Sequence, residues 1–295
     1  ELADFWNFNS HFAKEIVAKQ PNSTKGIRNI SKYNPLNGFV AAITPFNFTA
    51  IGGNLASAPV LFRNSVIWKP ASNAILSNYL VYEILVEAGM PKEAIAFTPC
   101  DPQSFSKQII TSPKLGGVLF TGSTRVFDNM LYNIYSNITN YNSYPRIIGE
   151  TGGKNWHFLH SALFYSDLWV VAEKTVESAF GYSGQKCSAC SIVYVPDKLY
   201  TKFMSIIASK IDDFATMDSF KNYGLINKAS YERIERLMAE LKTNKKYTII
   251  KGGKLNSDKN NFCEPTVVSC NDHKDEIFNA EFFAPILAVY KYSEE

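Results

Sequence analysis

The chain has 295 residues, of which 46% are hydrophobic and 14% aromatic, and its formal net charge at pH 7 is +3. This length accommodates roughly two domains with sizeable apolar cores. Lysine residues are spread along the chain, which argues against a nucleic-acid-binding stripe or a membrane-binding face. No uninterrupted apolar run approaches the length of a membrane span. We therefore expect a folded, soluble protein.

The two ends of the chain favour a segment of a longer protein. The chain begins at Glu1 without an initiator methionine, and no basic-then-apolar signal peptide follows. It stops directly after the strand-like residues 286–290. We expect additional residues at both ends.

Strands and helices alternate from residue 39 onward. The pattern predicts a buried strand at residues 39–44, a helix at 50–62 and a second strand at 65–69. Ser72 is the predicted N-cap of the next helix, which ends at Gly89. One face of this helix carries Ile75, Leu76, Tyr79, Leu80, Ile84 and Leu85.

The same alternation continues to residue 150. Its predicted elements are a short strand at 95–98, a helix opened by Asp101 and Pro102, a strand at 117–121, a helix reaching about Ile138 and a strand at 146–150. Strands separated by helices of this length imply right-handed crossovers and a parallel sheet.

Short polar motifs follow the ends of these strands, where ligands bind in open parallel sheets. A glycine-serine turn that opens a helix, as at Gly122 and Ser123, offers N–H groups and a hydroxyl to a phosphate. The G-x-G-x-x-G fingerprint of dinucleotide-binding sheets is absent from this sequence. The motifs are Thr44-Pro45-Phe46-Asn47-Phe48, Lys69-Pro70-Ala71-Ser72 and Phe120-Thr121-Gly122-Ser123-Thr124.

Cys187 is the strongest candidate for a catalytic side chain. It follows an apolar helical stretch and precedes the β-rich run 191–195, on a turn flanked by glycines. A thiol is the best attacking nucleophile among ordinary side chains, and the adjacent Lys186 favours its thiolate. The alternative is a small buried hydrophobe, the usual role of a free cysteine.

Cys190 forms a C-x-x-C pair with Cys187, which is also compatible with a redox pair or half of a zinc site. The other cysteines form no second close pair, and His157 and His160 lack partner ligands at zinc-finger spacing. We therefore predict no metal. Five scattered cysteines suggest a reducing compartment without a disulfide framework.

Glu150 and Asn47 complete a set of candidate catalytic groups. A carboxylate such as Glu150, at the end of a strand beside glycines, can activate water against a thioester formed on Cys187. The Asn47 amide can donate to a developing oxyanion. Their ordinary alternatives are a solvated loop position and an Asx-turn cap.

The motifs around these residues resemble, in order and spacing, those of the aldehyde dehydrogenase superfamily. The sequences of residues 39–56, 149–158 and 184–191 are similar to those of the Δ1-pyrroline-5-carboxylate dehydrogenases, which are also called glutamate-γ-semialdehyde dehydrogenases. The motifs are Pro45-Phe46-Asn47-Phe48, Lys69-Pro70, Phe120-Thr121-Gly122-Ser123-Thr124, Glu150-Thr151-Gly152-Gly153-Lys154, Gly184-Gln185-Lys186-Cys187 and Glu281-Phe282-Phe283-Ala284-Pro285.

The resemblance implies an α/β fold with a Rossmann-like parallel-sheet cofactor domain at residues 1–150 and an α/β catalytic domain at 151–295, truncated at both ends. It implies an inter-subunit arm near residues 20–37, and therefore at least a homodimer. In eukaryotes the location would be the mitochondrial matrix, and otherwise the cytoplasm.

The resemblance also implies NAD-dependent oxidation of a semialdehyde through a covalent intermediate on Cys187. Asn47 would hold the oxyanion and Glu150 would activate water. The implied cofactor-binding residues are Thr44, Phe46, Lys69, Gly122, Ser123, Glu281 and Phe283. The implied substrate-binding residues are Lys186, Ser188 and Glu1.

Two residues depart from the family pattern. Ala284 stands where the family usually has glycine, a change that we expect to be tolerated. Ser72 occupies a position where NAD-selective relatives often carry an acidic residue, which weakens the choice of NAD over NADP. Two alternatives stay open, namely a dehydrogenase for another semialdehyde and a non-catalytic relative.

Overall fold

The protein is described here by a computed structural model, which covers residues 1–217 and 223–293. The chain separates into two compact units, Glu1–Thr151 and Gly152–Glu295. The assignment of cofactor binding to the first unit and catalysis to the second stays a prediction.

The first unit, every residue of which is described, is built on a parallel sheet with strand order β3-β2-β1-β4-β5. Its strands are β1 (Phe39–Ile43), β2 (Ser65–Lys69), β3 (Ile95–Phe97), β4 (Leu115–Gly122) and β5 (Arg146–Thr151). Its helices are α1 (Leu2–Ala18), α2 (Thr49–Ser57), α3 (Ile75–Glu87), α4 (Pro102–Phe105) and α5 (Thr124–Ser136). The predicted strands and the parallel sheet are thus confirmed.

Helices cover both faces of this sheet, because successive side chains of a strand point to opposite faces. Val40 and Ala42 belong to one apolar core, which also contains Val81 of α3. Ala41, between them, belongs to the other core together with Met130 of α5. A parallel strand that is buried on both faces has a continuous apolar sequence. Residues 39–43 have such a sequence.

The structure corrects the predicted start of helix α3. Ser72 is not its N-cap, since residues Ser72–Ala74 form a 3-10 turn and the α-helix begins at Ile75 with Ala74 as its N-cap. The Ala74 amide donates to the Ala71 carbonyl at 2.9 Å. An N-cap serine at position 72 would accept the Ala74 N–H with its hydroxyl, but this N–H already donates to the Ala71 carbonyl.

The buried face of α3 also differs from the predicted one. Its buried residues are Asn78 and Val81, whereas the apolar side chains Leu76, Leu80 and Ile84 are 72%, 50% and 53% exposed. Most positions of this helix are apolar and they lie on more than one face, so periodicity alone does not select the face that packs on the sheet.

The second unit contains another mixed α/β arrangement. Its described residues form a sheet of order β6-β7-β12-β11-β8, in which only the β11–β8 pair is antiparallel. The strands of this sheet are β6 (Asn155–Phe158), β7 (Cys190–Pro196), β8 (Tyr247–Lys251), β11 (Thr266–Cys270) and β12 (Ile286–Tyr292). A short antiparallel ribbon consists of β9 (Leu255–Asn256) and β10 (Phe262–Cys263).

Helices again pack on both faces of the second sheet. They are α6 (Leu168–Phe180), α7 (Asp197–Thr216), α8 (Lys228–Thr243) and α9 (Glu276–Asn279). Val193 of β7 lies in the core formed with α6 and α7. Ile192 lies in the core formed with α8 and α9. Across the described ranges, no helix combines the length and the apolarity needed to cross a membrane.

The contact between α2 and α3 generates a test of this packing. Asn78 is fully buried and its Nδ2 donates to the Ala74 carbonyl at 2.8 Å. A Cβ added at Gly52 would overlap Asn78 Oδ1. Overpacking costs about 1–3 kcal/mol, which outweighs the gain of up to about 1 kcal/mol from replacing a helical glycine by alanine.

We therefore expect Gly52→Ala to lower the free energy of unfolding in the native background and to be less harmful in an Asn78→Ala background. Denaturant unfolding of the two single variants and the double variant measures this coupling, for which we expect about 1–2 kcal/mol. Additive effects would contradict the packing described.

Candidate active site

The predicted cofactor residues of the first unit share one edge of its sheet. The strand order reverses between β1 and β4, and the carboxyl ends of those two strands flank the crevice where such sheets bind ligands. Thr44, Phe46 and Asn47 follow β1, and Ser123 follows β4. The topology therefore brings them to one place, as the motifs predicted.

Lys69 ends the neighbouring strand β2 at the same edge. Its carbonyl accepts a hydrogen bond from the Thr44 amide at 3.1 Å, and its ammonium donates to the Pro70 carbonyl at 3.4 Å. Burial lowers the pKa of Lys69, an effect that Cys100 and Asp101 oppose. A largely buried cation at this edge is suited to bind ligand oxygens.

Ser123 is the N-cap of α5, and its carbonyl accepts the amides of Val126 and Phe127 at 3.1 Å. The first-turn amides at this end carry the positive pole of the helix dipole. An anionic group such as a pyrophosphate is stabilised at such a terminus.

Glu150 lies at the same edge on strand β5. Its register partner on β4 is Thr121, and Gly122 pairs with Thr151. Glu150 is exposed, whereas Asn47 is half-buried. Glu1 is the exposed N-cap of α1, and the next residue, Leu2, packs against Gly53 of α2.

Cys187 of the second unit lies on a turn with an unusual backbone. After α6, a 3-10 segment spans Gly181–Gly184, in which Tyr182, Ser183 and Gly184 have φ values of 55°, 55° and 66°. Left-handed conformation costs about 1–2 kcal/mol for a non-glycine residue. A Cβ at Gly184 would in addition overlap the Ala284 carbonyl. The glycine there is required, and the turn needs support.

Buried hydrogen bonds supply that support. Gln185 is 2% exposed; its Nε2 donates to the carbonyls of Tyr182 and Gly224 at 3.2 and 3.1 Å, and its Oε1 accepts the Ile226 amide at 2.8 Å. The fully buried Ser183 donates its hydroxyl to the Tyr223 carbonyl at 2.9 Å. At about 1 kcal/mol each, these bonds offset the cost of the left-handed residues.

The other side of the Cys187 turn is held by the segment around Asn155. The Asn155 amide donates to the carbonyls of Cys187 and Ala189 at 2.6 and 3.1 Å. A Cβ at Gly153 would overlap the Cys187 carbonyl. Close backbone approach thus explains a glycine in the Glu150–Lys154 motif.

The two cysteines of the C-x-x-C pair have different environments. Cys187 is half-buried. Cys190 is 2% exposed, its thiol donates to the Ile192 carbonyl at 3.2 Å, and burial raises its pKa to about 12. A thiol with such a pKa is protonated at neutral pH and is a poor nucleophile. Within residues 1–217 and 223–293, no three His, Cys, Asp or Glu side chains come together as a metal site.

Glu281 and Phe283, predicted to contact the cofactor, lie beside the Cys187 turn. A small cavity of about 20 Å³ is lined by both residues and by Gly153, Gly184 and Lys186. Phe283 has a left-handed φ of 51°, a conformation that for a bulky residue is often associated with function. Ser188 is exposed, and the departure from the family at Ala284 is accommodated at a buried position.

A cluster of charges around Glu281 was not predicted from the sequence. Its carboxylate accepts the Gly153 amide; partial burial raises the pKa of Glu281, while Lys154 and Arg233 oppose that rise. Burial lowers the pKa of Lys154 to about 8. Its Nζ lies 4.6 Å from the centroid of the Phe282 ring and has no hydrogen-bond partner among the described residues.

The structure thus assembles the predicted residues, apart from Glu1, in two groups. One sheet edge of the first unit carries Thr44, Phe46, Asn47, Lys69, Gly122, Ser123 and Glu150, and one turn region of the second unit carries Lys186, Cys187, Ser188, Glu281 and Phe283. Sequence reasoning missed the supporting roles of Asn155, Ser183 and Gln185. Only the position of Gln185, two residues before the candidate nucleophile, offered a signal.

Comparison with known proteins identifies the family. The model of the family described as "Aldehyde dehydrogenase family" matches residues 1–295. The chain belongs to the aldehyde dehydrogenase family. Zebrafish (Danio rerio) mitochondrial Δ1-pyrroline-5-carboxylate dehydrogenase is 40% identical over 303 residues, covering 100% of this chain and 53% of the relative. The human (Homo sapiens) protein of that name is 40% identical over 300 residues, with the same coverage.

Solved structures lead to the same family. Δ1-Pyrroline-5-carboxylate dehydrogenase from Mycobacterium tuberculosis, bound with NAD, superposes with a TM-score of 0.90 at 35% identity, covering 99% of this chain and 54% of that one. The Thermus enzyme with bound NAD has a TM-score of 0.90 at 25% identity, covering 99% and 57%. The aldehyde dehydrogenase fold is therefore confirmed, and the chain spans about half the length of these relatives.

Lys154 generates a prediction about stability and pH. Its pKa is about 8 in the folded protein, below the ordinary 10.5. Below pH 8 both the folded and the unfolded states carry the charge, and the folded state bears the full cost of burying it. Between pH 8 and 10.5 this cost disappears, so this group contributes a rise in the free energy of unfolding with pH.

Lys154→Met removes the buried charge, so we expect it to stabilise the protein at pH 7 by up to on the order of 3 kcal/mol, the full value of the pKa shift. The advantage over the native protein should shrink at about pH 9.5. Denaturant unfolding of both proteins at the two pH values measures the difference between their free energies of unfolding. A difference that does not depend on pH would show that the amine stays hydrated.

Proposed function

We propose that the protein of which this chain is part oxidises L-glutamate γ-semialdehyde, which forms from Δ1-pyrroline-5-carboxylate, to L-glutamate, with NAD as oxidant, in proline degradation. The observation that carries the proposal is the placement of Cys187 on a rigid, partly exposed turn. The chain that contains this turn is 40% identical to two proteins named Δ1-pyrroline-5-carboxylate dehydrogenase. The solved relatives that bind NAD support the choice of cofactor.

The first unit has features that fit NAD. The sheet order, the α5 N-terminus and the buried cation Lys69 meet at one edge. Gly122 and Ser123 would hold the pyrophosphate, and Lys69 a ribose hydroxyl. Thr44 and Phe46 would line the same crevice. In the second unit Glu281 would hold the other ribose and Phe283 would pack beside the nicotinamide. Bound NAD would supply the hydride acceptor needed to oxidise the carbon that Cys187 has attacked.

The chain's own groups perform the remaining chemistry. The Cys187 thiolate attacks the aldehyde carbon, and the Asn47 amide and the Cys187 backbone N–H stabilise the oxyanion. Loss of hydride converts the thiohemiacetal to a thioester. Glu150 then takes a proton from water, which attacks the thioester and releases the carboxylate product and the free thiolate.

The substrate also carries a carboxylate and an ammonium group. Ser188 and Lys186, which flank Cys187, would bind the carboxylate. Glu1, the N-cap of α1, would line the substrate pocket.

We also propose a homodimer or higher homo-oligomer, located in the mitochondrial matrix if the protein is eukaryotic and otherwise in the cytoplasm. Residues 20–37 are exposed except for Leu36, and they contain one isolated bridge between Thr24 and Ile27. Its apolar side chains Ile27 and Ile30 are 60% and 54% exposed, which supports its role as an inter-subunit arm. Eukaryotic relatives are named mitochondrial.

The decisive experiment measures NADH formation from Δ1-pyrroline-5-carboxylate by the full-length protein and by two cysteine variants. We expect Cys187→Ser to lose activity by several orders of magnitude, because a serine without an adjacent base is a poor nucleophile. Cys190→Ser, the matched control, should stay active, since the Cys190 thiol is buried and protonated. Equal losses would indicate a redox pair. Faster turnover of succinate semialdehyde would assign a different substrate.

Asn47 is proposed to act in formation of the covalent intermediate, and Glu150 in hydrolysis of the thioester. Rapid-mixing kinetics should therefore distinguish the effects of changing the two residues. Glu150→Gln should still acylate Cys187 and release one equivalent of NADH before it stalls, because hydride transfer precedes hydrolysis. Asn47→Ala should slow the first step by roughly 3 kcal/mol, the usual cost of losing one oxyanion donor. We expect a burst of NADH for the glutamate variant and none for the asparagine variant. The reverse pattern would exchange their roles.

A further inference from the structure

We propose that Gln185 is a positioning residue for Cys187. Its side chain attaches the left-handed turn, on which Cys187 lies, to segment 223–226. This inference rests on the proposed role of Cys187 in the reaction.

The hydrogen bonds of Gln185 leave its side chain no freedom. Both amide hydrogens have acceptors, the carbonyls of Tyr182 and Gly224, and the amide oxygen accepts the Ile226 N–H. The side chain is 2% exposed, so water cannot replace a lost partner. A buried amide with both kinds of bond satisfied holds two backbone segments at one separation.

Two further contacts join the same two segments. The Ser183 hydroxyl donates to the Tyr223 carbonyl at 2.9 Å. The Tyr182 and Tyr223 rings meet edge to face with centroids 5.2 Å apart. Segment 223–226 therefore contacts Tyr182 and Ser183 as well as Gln185. Gln185 contributes most of the hydrogen bonds between the turn and this segment.

The backbone conformation explains why these contacts matter for Cys187. Tyr182 and Ser183 both have a φ of 55°, which side chains with a Cβ disfavour. A turn released from segment 223–226 relaxes toward right-handed or extended conformation. That relaxation rotates the peptide units that lead to Cys187 and displaces its thiol and its backbone N–H.

The test uses Gln185→Glu, which keeps the shape of the side chain but cannot donate to two carbonyls when ionised. The matched control is Asn64→Asp in the first unit. The Asn64 amide likewise accepts one backbone N–H, from Leu36 at 2.8 Å, and donates to one carbonyl, of Pro59 at 3.0 Å. Both changes convert a bridging amide to a carboxylate, and only one lies beside Cys187.

Two readouts are measured on the full-length protein. The first is the rate constant for alkylation of Cys187 by iodoacetamide across a pH range, followed by peptide mass spectrometry. The second is kcat and KM, with the melting temperature as a measure of stability. For Gln185→Glu we expect alkylation to slow by about tenfold and kcat to fall by about 100-fold with little change in the KM for NAD.

For Asn64→Asp we expect a lower melting temperature with unchanged alkylation and kcat. The proposal is overturned if Gln185→Glu alkylates at the native rate, or if the control slows equally, since either result would reduce Gln185 to a stabilising role. Gln185→Met, which removes the same bonds without adding a charge, decides by the same criteria if the glutamate variant does not fold.

Alkylation needs neither cofactor nor aldehyde. Its outcome therefore does not depend on whether the proposed reaction is correct, which the activity of Cys187→Ser tests separately.

Discussion

The hydrogen bonds that hold Tyr182, Ser183 and Gly184 in left-handed conformation are the interaction on which the candidate nucleophile depends. Two of these residues carry a Cβ and together cost about 2–4 kcal/mol in this conformation. Four side-chain bonds from Ser183 and Gln185 offset that cost at about 1 kcal/mol each. Because the two contributions are similar, the turn persists only while its buried partners stay in place.

The backbone also fixes which residues are possible around this turn. The Ala284 carbonyl approaches Gly184 and the Cys187 carbonyl approaches Gly153, so closely that a side chain at either glycine would overlap them. Asn155 then bonds to the carbonyls on the far side of Cys187. The thiol is thus attached to a rigid frame, whereas Cys190, on the following strand, is enclosed and protonated.

Buried charge is the second constraint. Lys154 is packed over Phe282, and burial of its amine lowers the pKa to about 8. Glu281 and Arg233 lie close enough to influence each other's ionisation. The first unit has its own example in Lys69. Perturbed pKa values cluster at functional sites, although structural ion pairs produce them too. The shifts of Lys69 and Glu281 are consistent with the proposed cofactor contacts of these two residues.

The sequence by itself determined the alternation of strands and helices, the parallel sheet and the motifs at the strand ends, because these depend on local periodicity and on turn residues. It also singled out Cys187 as the candidate nucleophile. Only the tertiary structure decided which face of α3 is buried and that this helix begins after Ser72. Only the tertiary structure showed that burial desolvates the Lys154 amine and that Gln185 forms hydrogen bonds to segment 223–226. Each of these depends on partners distant in the chain, whose approach sets burial and hydrogen bonding and leaves no periodic trace in the sequence.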